Sequence, residues 1–325
     1  MKRSDGSEVL VNLAVDLGGT NLRLGLVTSS LELIHKARVS SRTLKGANPV
    51  RWLSNHVDRF LSDARSQGLR FQLASMSFGV PSTVDKTRSH ILSTTNLPEW
   101  SGVPAKRLLE ERYGVPVVLD RDTNFLIQHD IWDLAVKDLT SVIGVYVGTG
   151  LGNAMVLEGR VWSGAHGVSA ELGHLPWPTV GDVQCGCGNR GCVELVASGQ
   201  ALERLCERHF PGESLAGVFL EHRDHPAVTE FVRVLGLVVA SEVNLIDPVT
   251  VILGGGVLGM PGFPKEFLEA EVLRATRQPM PRDDLHFRYS SDSQFNGLLG
   301  GTLSSPLFSS LGPNGRVLSR EGAVA

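Results

Sequence analysis

Leu22, Leu24 and Leu26 alternate with other residues directly after an apolar run and a Gly-Gly pair, in VNLAVDLGGTNLRLGLV (11–27). Period-two alternation across a glycine turn predicts a strand, a tight turn and a second strand, a β-hairpin. The period then lengthens. Val50, Leu53, Val57, Phe60, Leu61 and Ala64 recur at helical spacing over 50–67, with Gly68 as the C-terminal stop. LASMSFGV (73–80) reads as a buried strand ending at Pro81, 104–113 as a short helix closed by Gly114, and VPVVLD (115–120) as another strand. A helix is expected from about Asp122.

The opening pattern then recurs. SVIGVYVGTGLGNAMVLEGRV (141–161) again predicts strand, glycine turn and strand. A long apolar helix follows over 226–246, ending before Pro248, then a strand VTVILGG (249–255) and helices near 264–277 and 297–310. Repetition of a hairpin followed by mixed α and β predicts two α/β lobes, 1–121 and 122–325. The last helix is a candidate to pack back on the first lobe. A cleft is expected between the lobes, where small-molecule sites commonly lie.

Composition narrows the class. The 325 residues are 42% hydrophobic and 20% charged, ordinary for a globular protein with a real core. A net charge of -3 gives no basic footprint for nucleic acid. The start, MKRSDGSEVL, lacks the apolar stretch of a signal peptide, and no window approaches the run of about 18 apolar residues that a membrane span needs. Four cysteines do not make a disulfide scaffold, so a cytoplasmic address is expected, with no membrane partner.

Three glycine clusters call for chemistry: Asp16-Leu17-Gly18-Gly19-Thr20, Gly148-Thr149-Gly150-Leu151-Gly152 and Gly254-Gly255-Gly256. A dinucleotide fingerprint would open a helix after a strand, whereas the first two clusters run on into strands. A P-loop would need Gly-Lys-Ser/Thr, which does not follow. Any one such turn could simply close a hairpin. Two of the same strand–Gly-Thr–strand type, with a third after a buried strand, point to a nucleotide site. Successive backbone N–H groups there converge into an anion-binding hollow, Thr20 and Thr149 add hydroxyls, and a Mg²⁺ ion would reconcile Asp16 with phosphate.

Three of the four cysteines fall in CGCGNRGCVE (185–194). His174, Cys185, Cys187 and Cys192 form a His-x10-Cys-x-Cys-x4-Cys pattern that suits a closed tetrahedral zinc site, structural because no position is left for water. Free thiols with a surface histidine are the plainer reading, and the weaker one for cysteines interleaved with glycines. Cys206 stands apart at helical spacing and reads as packing. Glu171 precedes one proposed ligand by three residues and Glu194 follows another by two, so a zinc ion would also fix two carboxylates suited to sugar hydroxyls. In VVLDRDTNF (117–125) a strand ends and a helix begins at Asp120, Arg121, Asp122 and Asn124. Such carboxylates are often N-caps, but beside a nucleotide site one Asp suits phosphoryl transfer to an alcohol.

With these motifs the chain resembles the ROK family of sugar kinases and sugar-responsive repressors, within the superfamily of hexokinase and actin-type ATPases. The resemblance covers VDLGGTNLRLGLV, SFGVPSTVD, STTNLPEW, VVLDRDTNF, GTGLGNAMVLEGRVWSGAHGVSAELGH, CGCGNRGCVELVASGQAL, VNLIDPVTVILGGGV and the late Asn-Gly-Leu-Leu-Gly-Gly. It implies a two-lobed actin/hexokinase-like ATPase fold, with ribonuclease H-like lobes and a structural zinc loop. It implies ATP and Mg²⁺ as cofactors, a free hexose as substrate and a homodimer. Asp122 is implied as the base for the sugar 6-hydroxyl. Glu171, Glu194, His174, Asn96 and Gly79 match positions near the sugar. Asp16, Gly18, Gly19, Thr20, Asn21, Thr149 and Gly150 match the phosphate clamps, and Gly254, Gly255 and Gly256 the adenosine region. One departure is informative: the family usually has Asn-Asp where this chain has Arg121-Asp122. Arginine is longer and only donates. Together with STTNLP (93–98), WSGAHGV (162–168) and GGGVLGMPGFP (254–264), this feature resembles, within the family, kinases of D-allose, which is glucose with its 3-hydroxyl axial. The repressors carry a winged DNA-binding segment ahead of the kinase-like fold; with the first glycine turn at residue 18, no such segment is expected here.

Overall fold

A computed structural model describes residues 8–95, 97–291 and 294–308; Asn96, expected near the sugar, lies outside them. The chain divides into two compact units, Met1–Asp133 with Ser163–Val168 and Ser293–Ala325, and Leu134–Trp162 with Ser169–Asp292.

The first unit is built on β1 (Val9–Leu17), β2 (Asn21–Thr28) and β3 (Leu33–Ser40), an antiparallel meander. Helix α1 (Pro49–Ser66), β4 (Phe71–Val80), the short pair β5 (Thr83–Val84) and β6 (Ile91–Ser93), α2 (Ala105–Tyr113), β7 (Val117–Arg121) and α3 (Asp122–Asp133) follow. The sheet order is β3-β2-β1-β4-β7, with β4 parallel to β1 and β7. Local chemistry explains α1. Asn48 Oδ1 accepts the Arg51 N–H at 3.0 Å, Pro49 sits where no intrahelical N–H is needed, and Gly68 takes φ +86° just beyond the end. The helical stripe read from the sequence, from Leu53 to Ala64, is the face α1 buries.

The second unit repeats the plan. β8 (Ser141–Val147), β9 (Leu151–Leu157) and β10 (Arg160–Val161) form a meander, α4 (Gly199–His209), α5 (Val218–Glu221) and α6 (Pro226–Ile246) follow, and β11 (Thr250–Gly254), α7 (Lys265–Ala275) and β12 (His286–Tyr289) complete it. Its order is β10-β9-β8-β11-β12, antiparallel through the meander and parallel from β8 to β12. Ile143, Val145, Phe231, Val238 and Val251 join in its core, and Cys206 is buried there as ordinary packing.

Three expectations change. α3 and Asp122 lie in the first unit, not after a boundary near residue 121, because α3 is pinned there by the closing helix α8 (Asn296–Leu303). A Cβ at Gly300 would collide with the Phe125 carbonyl, and one at Gly301 would lie 2.6 Å from Ser77 Oγ. Thr302 Oγ1 accepts a 3.0 Å hydrogen bond from Asn12 Nδ2 in the centre of β1, while Leu298 packs on Ala14 and Val27. Second, α8 stops at Leu303 rather than near 310. Pro306 lacks an N–H and disfavours helical backbone at Ser305. Third, β3 and β12 escaped the hydrophobic pattern because they are edge strands whose residues are only partly buried or exposed. Among the described residues no helix is long and apolar enough to cross a membrane.

Candidate active site

In the first unit β1 and β2 close at Leu17↔Leu22, and the Gly18 N–H donates to the Asn21 carbonyl at 2.7 Å. Gly18 and Gly19 are partly buried and Thr20 is exposed at the tip, while Asn21 Oδ1 accepts from Arg38 Nε at 2.9 Å. Asp16 pairs in register with Arg23 and accepts from its Nη1 at 2.9 Å. Burial raises the Asp16 carboxyl, and the Arg23 guanidinium pulls it back toward the charged form.

The β7–α3 junction separates two aspartates that look equivalent in sequence. Asp120 Oδ1 accepts from the Arg121 N–H at 2.7 Å and Asn124 Nδ2 at 2.8 Å, with Arg88 Nε 3.3 Å away. Burial raises its carboxyl, against the pull of Arg88. Asp122 opens α3 and accepts the Thr123 N–H on Oδ1 at 2.8 Å. Arg121 is 7% exposed and partnered. Gly79 is paired with Asp120 across the sheet, and a Cβ there would lie 3.0 Å from the Phe125 ring and 3.6 Å from the Asp122 Cα. A bare backbone at residue 79 is what lets the first turn of α3 sit against β4.

In the second unit the turn Gly148-Thr149-Gly150 lies under the first turn of α4. Gly199 N–H donates to the Gly148 carbonyl at 2.8 Å and Gln200 N–H to the Thr149 carbonyl at 3.1 Å. A Cβ at Gly150 would lie 2.9 Å from Glu194 Oε2, which accepts the Leu151 N–H at 3.4 Å. Gly254 ends β11, and Gly255, at φ +97°, runs so close to β8 that a Cβ would meet the Val147 carbonyl at 2.5 Å; Gly256 is open. Thus the 148–150 and 254–256 turns are neighbours at one end of one sheet.

His174, Cys185, Cys187 and Cys192 come together, one ligand atom from each lying within 4.8 Å of the others. Cys187 and Cys192 sulfurs are 3.6 Å apart, and Cys185 Sγ is 3.7 Å from His174 Nδ1. Arms of about 2.0–2.3 Å in a tetrahedron imply ligand separations of about 3.4–3.8 Å, which these two pairs match, so the cluster is compatible with zinc. Burial raises the Cys185 thiol to about 12 and lifts Cys192 as well, and a bound dication is what would convert such thiols to thiolates. The carboxylates flank the same ring. Glu171 Oε2 is 3.7 Å from His174 Nε2, and Glu194 Oε1 is 3.9 Å from Nδ1.

Sequence reasoning missed Arg88, Arg23 and the pair Asn153–Glu242. Asn153 Nδ2 donates to Glu242 Oε1 at 2.6 Å, and Asn153 Oδ1 accepts the Leu172 N–H at 3.0 Å. A Glu set among mostly apolar residues late in α6 was the available signal for the last of these.

A model of the ROK family matches residues 12–304. The N-acetyl-D-glucosamine kinase of Vibrio cholerae is 30% identical over 257 residues, 74% of this chain and 82% of that one. Among solved structures, a ROK family glucokinase from Streptomyces griseus in complex with glucose and AMPPNP superimposes with a TM-score of 0.75 at 25% identity, over 90% of this chain and 98% of that one. The ROK hexokinase from Thermus thermophilus gives 0.70 at 30% identity, over 93% and 100%.

Proposed function

This chain belongs to the ROK family, and from that premise we propose that it is an ATP-dependent sugar kinase acting on the 6-hydroxyl of a free hexose, D-allose foremost. The observation that carries the reading is the β7–α3 junction. Asp120 is held by two hydrogen-bond donors and the Arg88 guanidinium there, while Asp122, accepting the Thr123 N–H, places a carboxylate at the head of α3 where a reacting hydroxyl would need one.

In this reading the sugar O6–phosphorus bond forms as the bond from the γ-phosphorus to the ADP oxygen breaks, and the hydroxyl proton passes to Asp122. The transition state is loose, so the proton moves late, to a carboxylate already in place to accept it. The turns at 18–20 and 148–150 offer backbone N–H groups and threonine hydroxyls to phosphate, and Gly254, Gly255 and Gly256 admit the adenosine close to the backbone. Asp16 would hold the Mg²⁺ that accompanies ATP; a carboxylate beside these donors fits a metal-bound triphosphate, whose negative charge the ion neutralises. Glu171, Glu194 and His174 accept or share sugar hydroxyls. His174, Cys185, Cys187 and Cys192 hold a structural zinc ion, which staples a segment that has little regular structure of its own.

The choice of sugar rests on Arg121, where the family usually has Asn. An arginine donates but cannot accept, which suits a hydroxyl presented from a different face of the ring, as the axial 3-hydroxyl of allose is. ADP release with ATP and Mg²⁺ across allose, glucose, mannose, fructose and N-acetylglucosamine tests this. Allose is expected to give the highest kcat/KM. The relative from Vibrio cholerae makes N-acetylglucosamine the competing outcome, and silence on every sugar would end the kinase reading. Arg121→Asn is expected to shift the allose-to-glucose ratio of kcat/KM by about tenfold or more, because a buried partner is left unpaired. An unchanged ratio removes Arg121 from sugar choice.

A further inference from the structure

Helix α6 buries Val238, Val239, Ala240 and Val243, and among them it buries Glu242, which is 5% exposed. A carboxyl there is costly. Its Oε1 accepts from Asn153, but its Oε2 has no hydrogen-bond partner among the described residues. Burial raises the group to about 8, so it is held mostly protonated at neutral pH. An unmade bond on a buried polar atom costs about 1–3 kcal/mol, and apolar residues of similar size often replace such groups without loss of stability. Stability alone therefore gives Glu242 no reason to be there.

Its partner gives one. Asn153, 1% exposed on β9, uses its Nδ2 on Glu242 and its Oδ1 on the Leu172 N–H. Leu172 begins the single turn Leu172–His174, with Glu171 immediately before it. The same turn presses on β9 a second time, since a Cβ at Gly173 would collide with the Leu151 carbonyl. Leu151 in turn donates its N–H to Glu194. The first three residues of β9 thus register both glutamates. Asn153 does so through an amide whose rotation would be free without Glu242: turned over, it would present an N–H to the Leu172 N–H.

We propose that Asn153 and Glu242 are positioning residues that set sugar affinity by fixing the Glu171–His174 turn through the Leu172 N–H. This rests on the reading that Glu171 and His174 contact the sugar. Glu242 fixes which face of the Asn153 amide meets Leu172, and Asn153 transmits that choice to the turn.

The test compares wild type with Glu242→Gln, Glu242→Met, Asn153→Ala and Glu171→Gln. Each is assayed below the melting temperature of every variant, with the hexose that gives the highest kcat/KM. Glu242→Met and Asn153→Ala are expected to raise the sugar KM about tenfold, the scale of one hydrogen bond, while ATP KM and bound zinc stay near wild type. Glu242→Gln keeps an acceptor at Oε1 and is expected to stay within about twofold. Melting temperatures that fall while sugar KM holds would reduce the pair to a structural contact and overturn the proposal. So would Glu242→Gln behaving like Glu242→Met. If Asn153→Ala does not fold, the Met–Gln comparison at residue 242 still decides. Glu171→Gln separates the two levels. If it raises sugar KM and the others do not, the positioning role fails and the sugar site stands; if it leaves sugar KM unchanged, the sugar site itself fails.

Discussion

Asp122→Asn is expected to lower kcat by about 10²–10⁴-fold, the usual worth of a positioned base, and to leave sugar KM close to wild type. The substitution is shaped to isolate the proton. Asparagine is nearly isosteric and its Oδ1 still accepts the Thr123 N–H, so the start of α3 is preserved. What disappears is the ability to take a proton from the attacking hydroxyl. Asp120→Asn is the contrasting control. Its side chain is taken up by Arg88, Asn124 and the Arg121 N–H, so its loss is expected in melting temperature before turnover. Steady-state kinetics with each sugar, and circular dichroism for the fold, read both. A near-normal kcat for Asp122→Asn would remove it from the base role, and a greater loss in Asp120→Asn would exchange the two assignments.

Cys187→Ser is the second large effect. Cys187 is exposed whereas Cys185 and Cys192 are buried, so the change removes a sulfur donor with little disturbance to packing. Bound zinc is expected to fall from about one per chain toward zero, because structural sites are closed and four-coordinate. Sugar KM is expected to rise with it, since His174 lies between Glu171 and Glu194, and loss of the proposed ion would free the ring that spaces them. Binding of such an ion is coupled to folding, so the melting temperature falls too. Elemental analysis with sugar kinetics checks this. Normal metal content with normal sugar affinity would show that the four groups do not form a closed site.

Much of this architecture was legible in the sequence, for reasons that differ from element to element. The two glycine hairpins announced themselves because alternation and a turn residue coincide, and α1 because one face is buried along its length. The Cys/His cluster was legible because its ligands are close in sequence. The place of α3 was not: its allegiance to the first unit depends on Gly300 meeting the Phe125 carbonyl, a contact no local pattern records. Edge strands β3 and β12 lack the buried face that produces alternation. Asn153 and Glu242 are 89 positions apart, and each reads locally as a polar interruption. Only the fold turns two interruptions into a pair.

The manner in which the first unit is completed bears on how the protein is made. Its strands emerge from the ribosome early, yet Leu298, which covers Ala14 and Val27, and Thr302, which serves Asn12, are translated after residues 134–292. Domains commonly finish in the order of synthesis. Here the unit begun first is sealed last, and until α8 arrives a nascent chain holds an uncovered apolar face for a chaperone to shield.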